Sequence, residues 1–514
     1  MCHTLSKLWS PSTWRRNSPT WRRASRITKR APLEHGVGGG DSGGRTHERC
    51  VYGRADATRT KRSGAKRTCR RTVQRTAWTR WTWRPRAWRR QRRTCVRHGV
   101  GGAEEEADAK HAGTRFRPLS LKVPKPLFPI AGKPMLHHPL AACAKLPGLQ
   151  EIFVLGFFEE KEFALYLASV SAELNVRVQY LKETSEAGSA GGLYEYRNVI
   201  LEEKPEHLFV IHCDVCCTFP LGDLLEAHKR HNGALGTVLG KTVNAESAAQ
   251  CGQLAVEPNT MELLHYTEKP ETLVSRTVNT GVYVFNAQRL FDQIGAVIQG
   301  RGKMPKLRRT SSFSEENMAT AYDFRARRSD TSNNFARLDQ DVMSALAGKK
   351  LLYVHRTEDF WEQIKTPGIT LRCSELYLSM LPQSMLAKTR DEGPTIRGLV
   401  YIHPSAKVHP SAVLGPSVSV GPNVRVCSGA RLINCIVLDD CKVDENACII
   451  NSIIGWQSEV GRWARVQANG NYDARLGVTI LGEDVVVKDE VVVTGCVVLP
   501  HKSIGTSVME EILL

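Results

Sequence analysis

A chain of 514 residues has room for two or three domains, each with a core of its own. The formal charge of +19 would suit a nucleic-acid binder, but residues 1–112 hold 28 of the 71 basic and only 8 of the 52 acidic residues, leaving 43 against 44 in the remainder. The body is therefore electrically ordinary. No run approaches the roughly 20 apolar residues that cross a bilayer, and no apolar segment follows Met1 as in a secretory signal; a cytoplasmic protein with no membrane partner is expected.

Residues 1–112 contain seven of the ten tryptophans (Trp9, Trp14, Trp21, Trp78, Trp81, Trp83 and Trp88) among Arg, Thr and Gly. Neither a helical nor a strand period runs through them, so no core is encoded. Arg interleaved with Trp suits stacking on single-stranded nucleic acid, and an Arg-rich start weakly matches a transit peptide. The preferred reading is plainer, a disordered basic extension or a mispredicted start, with nucleic acid not an expected partner. Fifteen cysteines is an odd count without framework spacing, which fits reduced thiols in the cytosol. Cys213-Asp-Val-Cys216-Cys217 lacks the second pair that zinc requires and reads as thiols at a strand end.

From Gly113 onward, short β-rich runs alternate with helical ones. Glu151–Phe157, Val176–Leu181, His207–Val215, Leu235–Val243 and Thr277–Phe285 read as strands. Lys133–Leu146, Glu160–Glu173, Gly191–Glu203 and Leu221–His231 read as helices. This predicts an α/β domain over 113–385 with a largely parallel sheet and ligands beyond the strand ends. Residues 299–337 form a polar, flexible insertion, followed by a helix at about Arg337–Ala347. Arg308-Arg-Thr-Ser311 would suit a basophilic kinase, although an unmodified surface loop is the preferred reading.

The motifs fall at the strand ends. Gly113-Thr-Arg-Phe-Arg-Pro-Leu-Ser120 followed by Pro124-Lys-Pro126 closely resembles the signature of the sugar-1-phosphate pyrophosphorylases. Those enzymes join a sugar 1-phosphate to a nucleoside triphosphate and release pyrophosphate. The resemblance implies that Gly113 and Thr114 belong to the nucleotide loop, and that Arg115 and Lys125 neutralise phosphate charge together with Mg²⁺. Gly188-Ser-Ala-Gly191-Gly192 is similar to the loop that receives the nucleotide base and sugar. Asp214 resembles the metal-binding Asp, Glu268-Lys269-Pro270 the motif whose Lys contacts the sugar phosphate, and Asn279-Thr-Gly281 the strand that cradles the sugar.

The pattern breaks twice. Catalytic relatives place an apolar strand and a Gly-Gly loop immediately before Gly-Thr-Arg; here that position reads Ala103-Glu-Glu-Glu-Ala-Asp-Ala-Lys110, so the first strand reads as missing. They also carry Trp-x-Asp-Ile-Gly near the domain's end, whose Asp completes the metal site. This chain has Trp361-Glu-Gln-Ile-Lys365, with Gln363 replacing the second ligand. A neutral amide is a weaker ligand for a hard cation, and Lys365 adds unfavourable charge. Glu362 next door should face the other way. The Trp-x-Gln-Ile-Lys variant resembles the regulatory alpha type of the mannose-1-phosphate guanylyltransferases.

After a linker at 386–401, aliphatic residues recur every sixth position: Ile402, Val408, Leu414, Val420, Val426 and Leu432, then Val437, Val443 and Ile449, then Ile454, Val460 and Val466, and finally Ile480, Val486, Val492 and Val498. Such a run encodes a parallel β-helix of hexapeptide repeats over 402–514; resemblance implies the left-handed form. Gln467–Thr479 interrupts the repeat and reads as a protruding loop. Alpha-type relatives carry a longer loop there, so no regulatory role is assigned to it. Ile453-Ile-Gly-Trp456 through Gly461-Arg-Trp463, and Val498-Leu-Pro-His-Lys-Ser-Ile504, resemble the mannose-1-phosphate guanylyltransferases specifically.

The resulting expectation is a Rossmann-like nucleotidyltransferase domain followed by a β-helix, acting as a catalytically impaired regulatory subunit in GDP-mannose synthesis. The implied partners are a catalytic beta-type subunit, GDP-mannose or GTP, and further copies bound through the β-helix, with Mg²⁺ held only if the chain is active. The rival readings are an active guanylyltransferase and a scaffold subunit of a guanine-exchange complex.

Overall fold

The computed structural model describes residues 92–97, 114–184, 187–302, 335–472 and 476–514, of which 92–97, Thr114 and 301–302 are described by backbone alone. Gly113, the rest of the basic extension and most of the 299–337 insertion, including Arg308 to Ser311, lie outside these residues.

Runs of Val, Ile, Leu and Phe supply most strands of a nine-stranded sheet. These are β1 (Arg92–Arg97), β2 (Leu149–Gly156), β3 (Arg177–Lys182), β4 (His207–His212), β5 (Gly236–Thr242), β6 (Gly252–Val256), β7 (Leu263–Glu268), β8 (Thr277–Asn286) and β9 (Leu352–Thr357). Alternate side chains enter opposite cores: Phe153, Leu155, Leu208 and Val210 on one face, Ile152, Val154, Phe209 and Ile211 on the other. Leu221–Arg230 covers the second face with Leu221, Leu224 and Leu225 at helical spacing.

The sheet is mixed where alternation alone implies parallel pairing. β3, β2, β1 and β4 run parallel, whereas β8 is antiparallel to β4, β5 and β6, and β6 is antiparallel to β7. The short 257–262 connection leaves no room for a crossover helix. The missing first strand is a correction. β1 lies upstream of the acidic run, between β2 and β4, with Thr94 opposite Phe209 and Val96 opposite Val154. Its sequence, Arg-Arg-Thr-Cys-Val-Arg, carries no apolar alternation, so its place rests on backbone pairing that composition does not reveal.

Helix boundaries also move. The first helix is His137–Ala144 rather than Lys133–Leu146, because Lys133–Pro134 pairs with Pro129–Ile130. Gly191–Glu203 resolves into Gly188–Glu195 and Arg197–Leu201, and the helix after the insertion opens on a wide turn at Leu338–Met343 before Ser344–Leu346.

The parallel β-helix starts inside the supposed linker. Thr395–Ile396 pairs with Val413–Leu414 and Val400–Ile402 with Val418–Val420, so Ile396 extends the six-residue spacing backwards. Successive coils stack Val420, Val437, Ile454, Leu481 and Val498 in one column, and Val426, Val443, Val460, Val487 and Ile504 in another. In the last predicted set Val498 holds its place, whereas Ile480, Val486 and Val492 are one residue out of phase: Leu481, Val487 and Val493 are fully buried, while Val492 is 36% exposed. The loop before Thr479 resets the phase, and consecutive valines satisfy either register in the sequence. That loop does not simply protrude. The Gly470 amide donates to Gly477 O at 2.9 Å, and the Tyr472 hydroxyl accepts from Asn434 Nδ2 at 2.8 Å.

Phe116, Phe128, Ile130, Met135 and Tyr377 pack with Ile436, Ile453, Trp456, Val478 and Ile480 in a further core that joins the β-helix to the signature segment. Among the described residues, no helix is long and apolar enough to cross a membrane.

Candidate functional site

Asp214 stands just beyond the C-terminal end of β4, where a sheet of this kind presents its ligands. It opens a short ribbon in which Val215–Cys217 pairs antiparallel with Trp361–Gln363, with Gln363 opposite Val215 and the Ile364 amide donating to Asp214 O at 2.8 Å. Asp214 and Gln363 are thus brought to neighbouring places from positions far apart in sequence. Lys125, in the turn that follows Pro124, sets its Nζ 3.3 Å from Asp214 Oδ2 and 5.9 Å from the centroid of the Phe116 ring. Asp214 is only 2% exposed, and its Oδ1 has no hydrogen-bond partner among the described residues.

The fit to Mg²⁺ can be tested on these atoms. One carboxylate oxygen already carries an ammonium, one is open, and the neighbouring donor is a neutral amide. Glu362 does not substitute, because it is ion-paired with Arg372 at 2.9 Å. Lys365 donates to Gln250 O at 2.9 Å, and among the described residues no three carboxylate, His or Cys side chains cluster at metal-binding spacing. A hard dication prefers several anionic oxygens in a tight shell, so this donor set does not fit it.

A second group lies on β7 and β8. Glu268 accepts a short hydrogen bond from the Tyr266 hydroxyl, which also lies 3.5 Å from Asp339 Oδ2. Burial pushes the Glu268 carboxyl above its ordinary range, against the Tyr266 hydrogen bond, and the nearby Asp339 adds to the rise. Lys269 is exposed, with a left-handed φ of 41° and its amide directed to Cys251 O. Asn279 donates to the Tyr283 hydroxyl at 2.7 Å and accepts from the Gly281 amide at 3.1 Å. Gly281 has φ +79, and a Cβ there would sit 2.8 Å from His212 Nδ1. The Trp361 indole donates to Thr280 O at 3.0 Å, tying this strand to the Gln363 ribbon.

The glycine loop begins a helix. Gly188 has φ +67, and the amides of Ala190 and Gly191 donate to Ala336 O at 2.7 and 3.0 Å; Gly192 is buried in the helix they open. Residues 336–339, at the end of the insertion and the start of the helix that follows it, therefore close over the loop. Sequence reading placed a helix from about Arg337 but missed that this segment and its Asp339, which has no local signature, meet the site. Tyr266 was legible by its place two residues before Glu268 on one strand, where alternate side chains share a face. Of the other expected residues, Arg115 is exposed in the short turn Thr114–Phe116, and Cys213, Cys216 and Cys217 are buried thiols.

Comparison with known proteins follows the same two domains. The nucleotidyl transferase family matches residues 112–336, and the GMPPB C-terminal domain matches residues 396–513. A mannose-1-phosphate guanylyltransferase regulatory subunit alpha from Dictyostelium discoideum is 46% identical over 413 residues, covering 78% of this chain and 96% of the relative. Proteins of the same name from Xenopus tropicalis and Homo sapiens are 42% and 43% identical, each covering 78% of this chain and 97% of the relative. With both domains matched and nearly the whole of each relative spanned, the chain belongs to the family of mannose-1-phosphate guanylyltransferase regulatory alpha subunits.

Proposed function

We propose that this chain is a non-catalytic regulatory subunit that controls GDP-mannose synthesis from GTP and mannose 1-phosphate in the cytoplasm. It binds a catalytic beta-type partner, with the exposed coils of the β-helix as the assembly surface, and its nucleotidyltransferase cleft holds GDP-mannose or GTP without Mg²⁺. The observation that carries this reading is Gln363 beside Asp214, with Glu362 committed to Arg372. In the transfer reaction, a phosphate oxygen of the sugar attacks the α-phosphorus of the triphosphate and pyrophosphate leaves, so negative charge must be neutralised at both ends. Arg115, Lys125 and Lys269 supply cationic groups for binding a nucleotide or sugar phosphate. They do not replace the second anionic metal ligand. The test is GDP-mannose formation from GTP and mannose 1-phosphate by the purified chain with Mg²⁺, alone and with a beta-type partner. Stimulation or inhibition of the partner without turnover by the chain itself supports the reading; robust turnover by the chain alone overturns it.

An active guanylyltransferase is the second reading, favoured by β1, which puts a parallel strand where catalytic relatives have one. In that case Asp214→Asn abolishes product formation, and an unchanged rate refutes it.

A further inference from the structure

Trp456 belongs to the β-helix, yet its ring is directed at the signature segment of the other domain. It packs edge-to-face on Phe128, with centroids 6.1 Å apart and planes at 87°. Phe128 packs edge-to-face on Phe116 at 5.2 Å and 76°, and the Lys125 ammonium lies over the Phe116 ring at 5.9 Å before reaching Asp214 at 3.3 Å. Phe116 and Phe128 are essentially without solvent exposure. Close-packed buried rings cannot shift one at a time, and edge-to-face pairs have a preferred geometry beyond mere burial.

The backbone reinforces the same route. The Phe128 amide donates to Lys125 O at 3.1 Å, and Met135 and Leu136 donate back to Phe128 O and Pro126 O at 2.8 and 2.9 Å. Any displacement of the Phe128 ring is therefore passed to the turn that carries Lys125. A second tie crosses the same boundary three residues earlier, where Lys122 is ion-paired with Glu483 of the β-helix. An exposed pair of that kind contributes little stability alone, which leaves the buried aromatic contacts as the main connection.

We infer that Trp456 is a positioning residue for Lys125: through Phe128 and Phe116, the β-helix sets where the phosphate-binding ammonium stands. A change in the β-helix on assembly thereby reaches the cleft along packed side chains. The consequence for ligand binding rests on the functional reading above; the positioning itself does not.

The experiment is residue-resolved reductive methylation of the full chain with formaldehyde and a borohydride, followed by peptide mass spectrometry, which needs no ligand. The reference is Lys161, exposed on Glu160–Leu174. In the unaltered chain Lys125 reacts more slowly than Lys161. Trp456→Leu, which keeps the position apolar and removes the ring edge, accelerates Lys125 about threefold or more with Lys161 unchanged, as local opening without global unfolding requires. Trp456→Phe retains most of the protection. Phe116→Leu breaks the route from the other side and must give the same acceleration, so it decides the matter if Trp456→Leu does not fold. Cooperative melting with undiminished protection in the leucine variants overturns the inference, as does protection lost only in step with global melting. Failure of the chain to bind any guanine nucleotide would overturn the functional reading and leave this result intact.

Discussion

The Lys125 ammonium stands 3.3 Å from the Asp214 carboxylate, so the positive charge that a dication would bring to this carboxylate is already supplied by the protein. The ion pair also compensates the buried Asp214 carboxylate, because an unpaired buried carboxylate is costly.

If the amide at 363 is what excludes the metal, Gln363→Asp should strengthen Mn²⁺ or Mg²⁺ binding about tenfold, on the order of 1.4 kcal/mol. Isothermal titration calorimetry on the purified chain reads this directly. Equal affinity in the two proteins would place the obstacle in Lys125 or Lys365 instead.

The phase of the last β-helix coils makes a sharp contrast. Val493 is fully buried and Val492 is 36% exposed. Val493→Ala should cost about 2 kcal/mol through lost burial and a cavity, and Val492→Ala roughly 0.5 kcal/mol. Urea denaturation of the two variants side by side distinguishes the registers, and equal costs would contradict the observed stacking.

Gly281 holds a left-handed backbone against the His212 ring, with no room for a methyl group. Gly281→Ala should destabilise the domain by about 2–3 kcal/mol, combining backbone strain with displacement of His212. Because Asn279 accepts from the same amide, nucleotide-sugar affinity should fall more than in a β-helix variant of equal thermal stability. Calorimetric titration paired with thermal melts would show whether it does.

Acid should weaken the fold through two buried histidines. Burial holds His138, stacked on Tyr377, down to about 3, and burial followed by the neighbouring His207 holds His228 down to about 4. Both values lie below the unfolded value of about 6.5, so the unfolded chain takes up protons first. The stabilisation is complete above pH 6.5 and is lost as pH falls towards 4 and 3. At pH 5 each contributes a loss of roughly 2 kcal/mol relative to pH 7. Thermal melts across pH 7 to 5 measure the slope. His138→Phe, which keeps a ring against Tyr377, should remove its share, and an unaltered slope would assign the effect elsewhere.

Much of this protein was legible without coordinates wherever the physics is local and repetitive. Hexad spacing from Ile402 to Val466 encodes the β-helix because each coil must bury the same few aliphatic positions, and Glu160–Leu174 follows from an amphipathic period closed by Asn175 in the left-handed conformation. The signature residues Lys125, Asp214, Glu268 and Asn279 announced a site through their order along the chain. Tertiary structure alone decided which of them meet. Lys125 reaches Asp214, while Glu268 meets Asp339 through Tyr266, a contact between segments separated by the insertion. It also placed Arg92–Arg97 at the centre of the sheet, chose between two phases of a valine run, and set Trp456 against Phe128 across two domains. Each of those outcomes depends on long-range packing and backbone pairing. Neither leaves a periodic mark on the residues that take part in it.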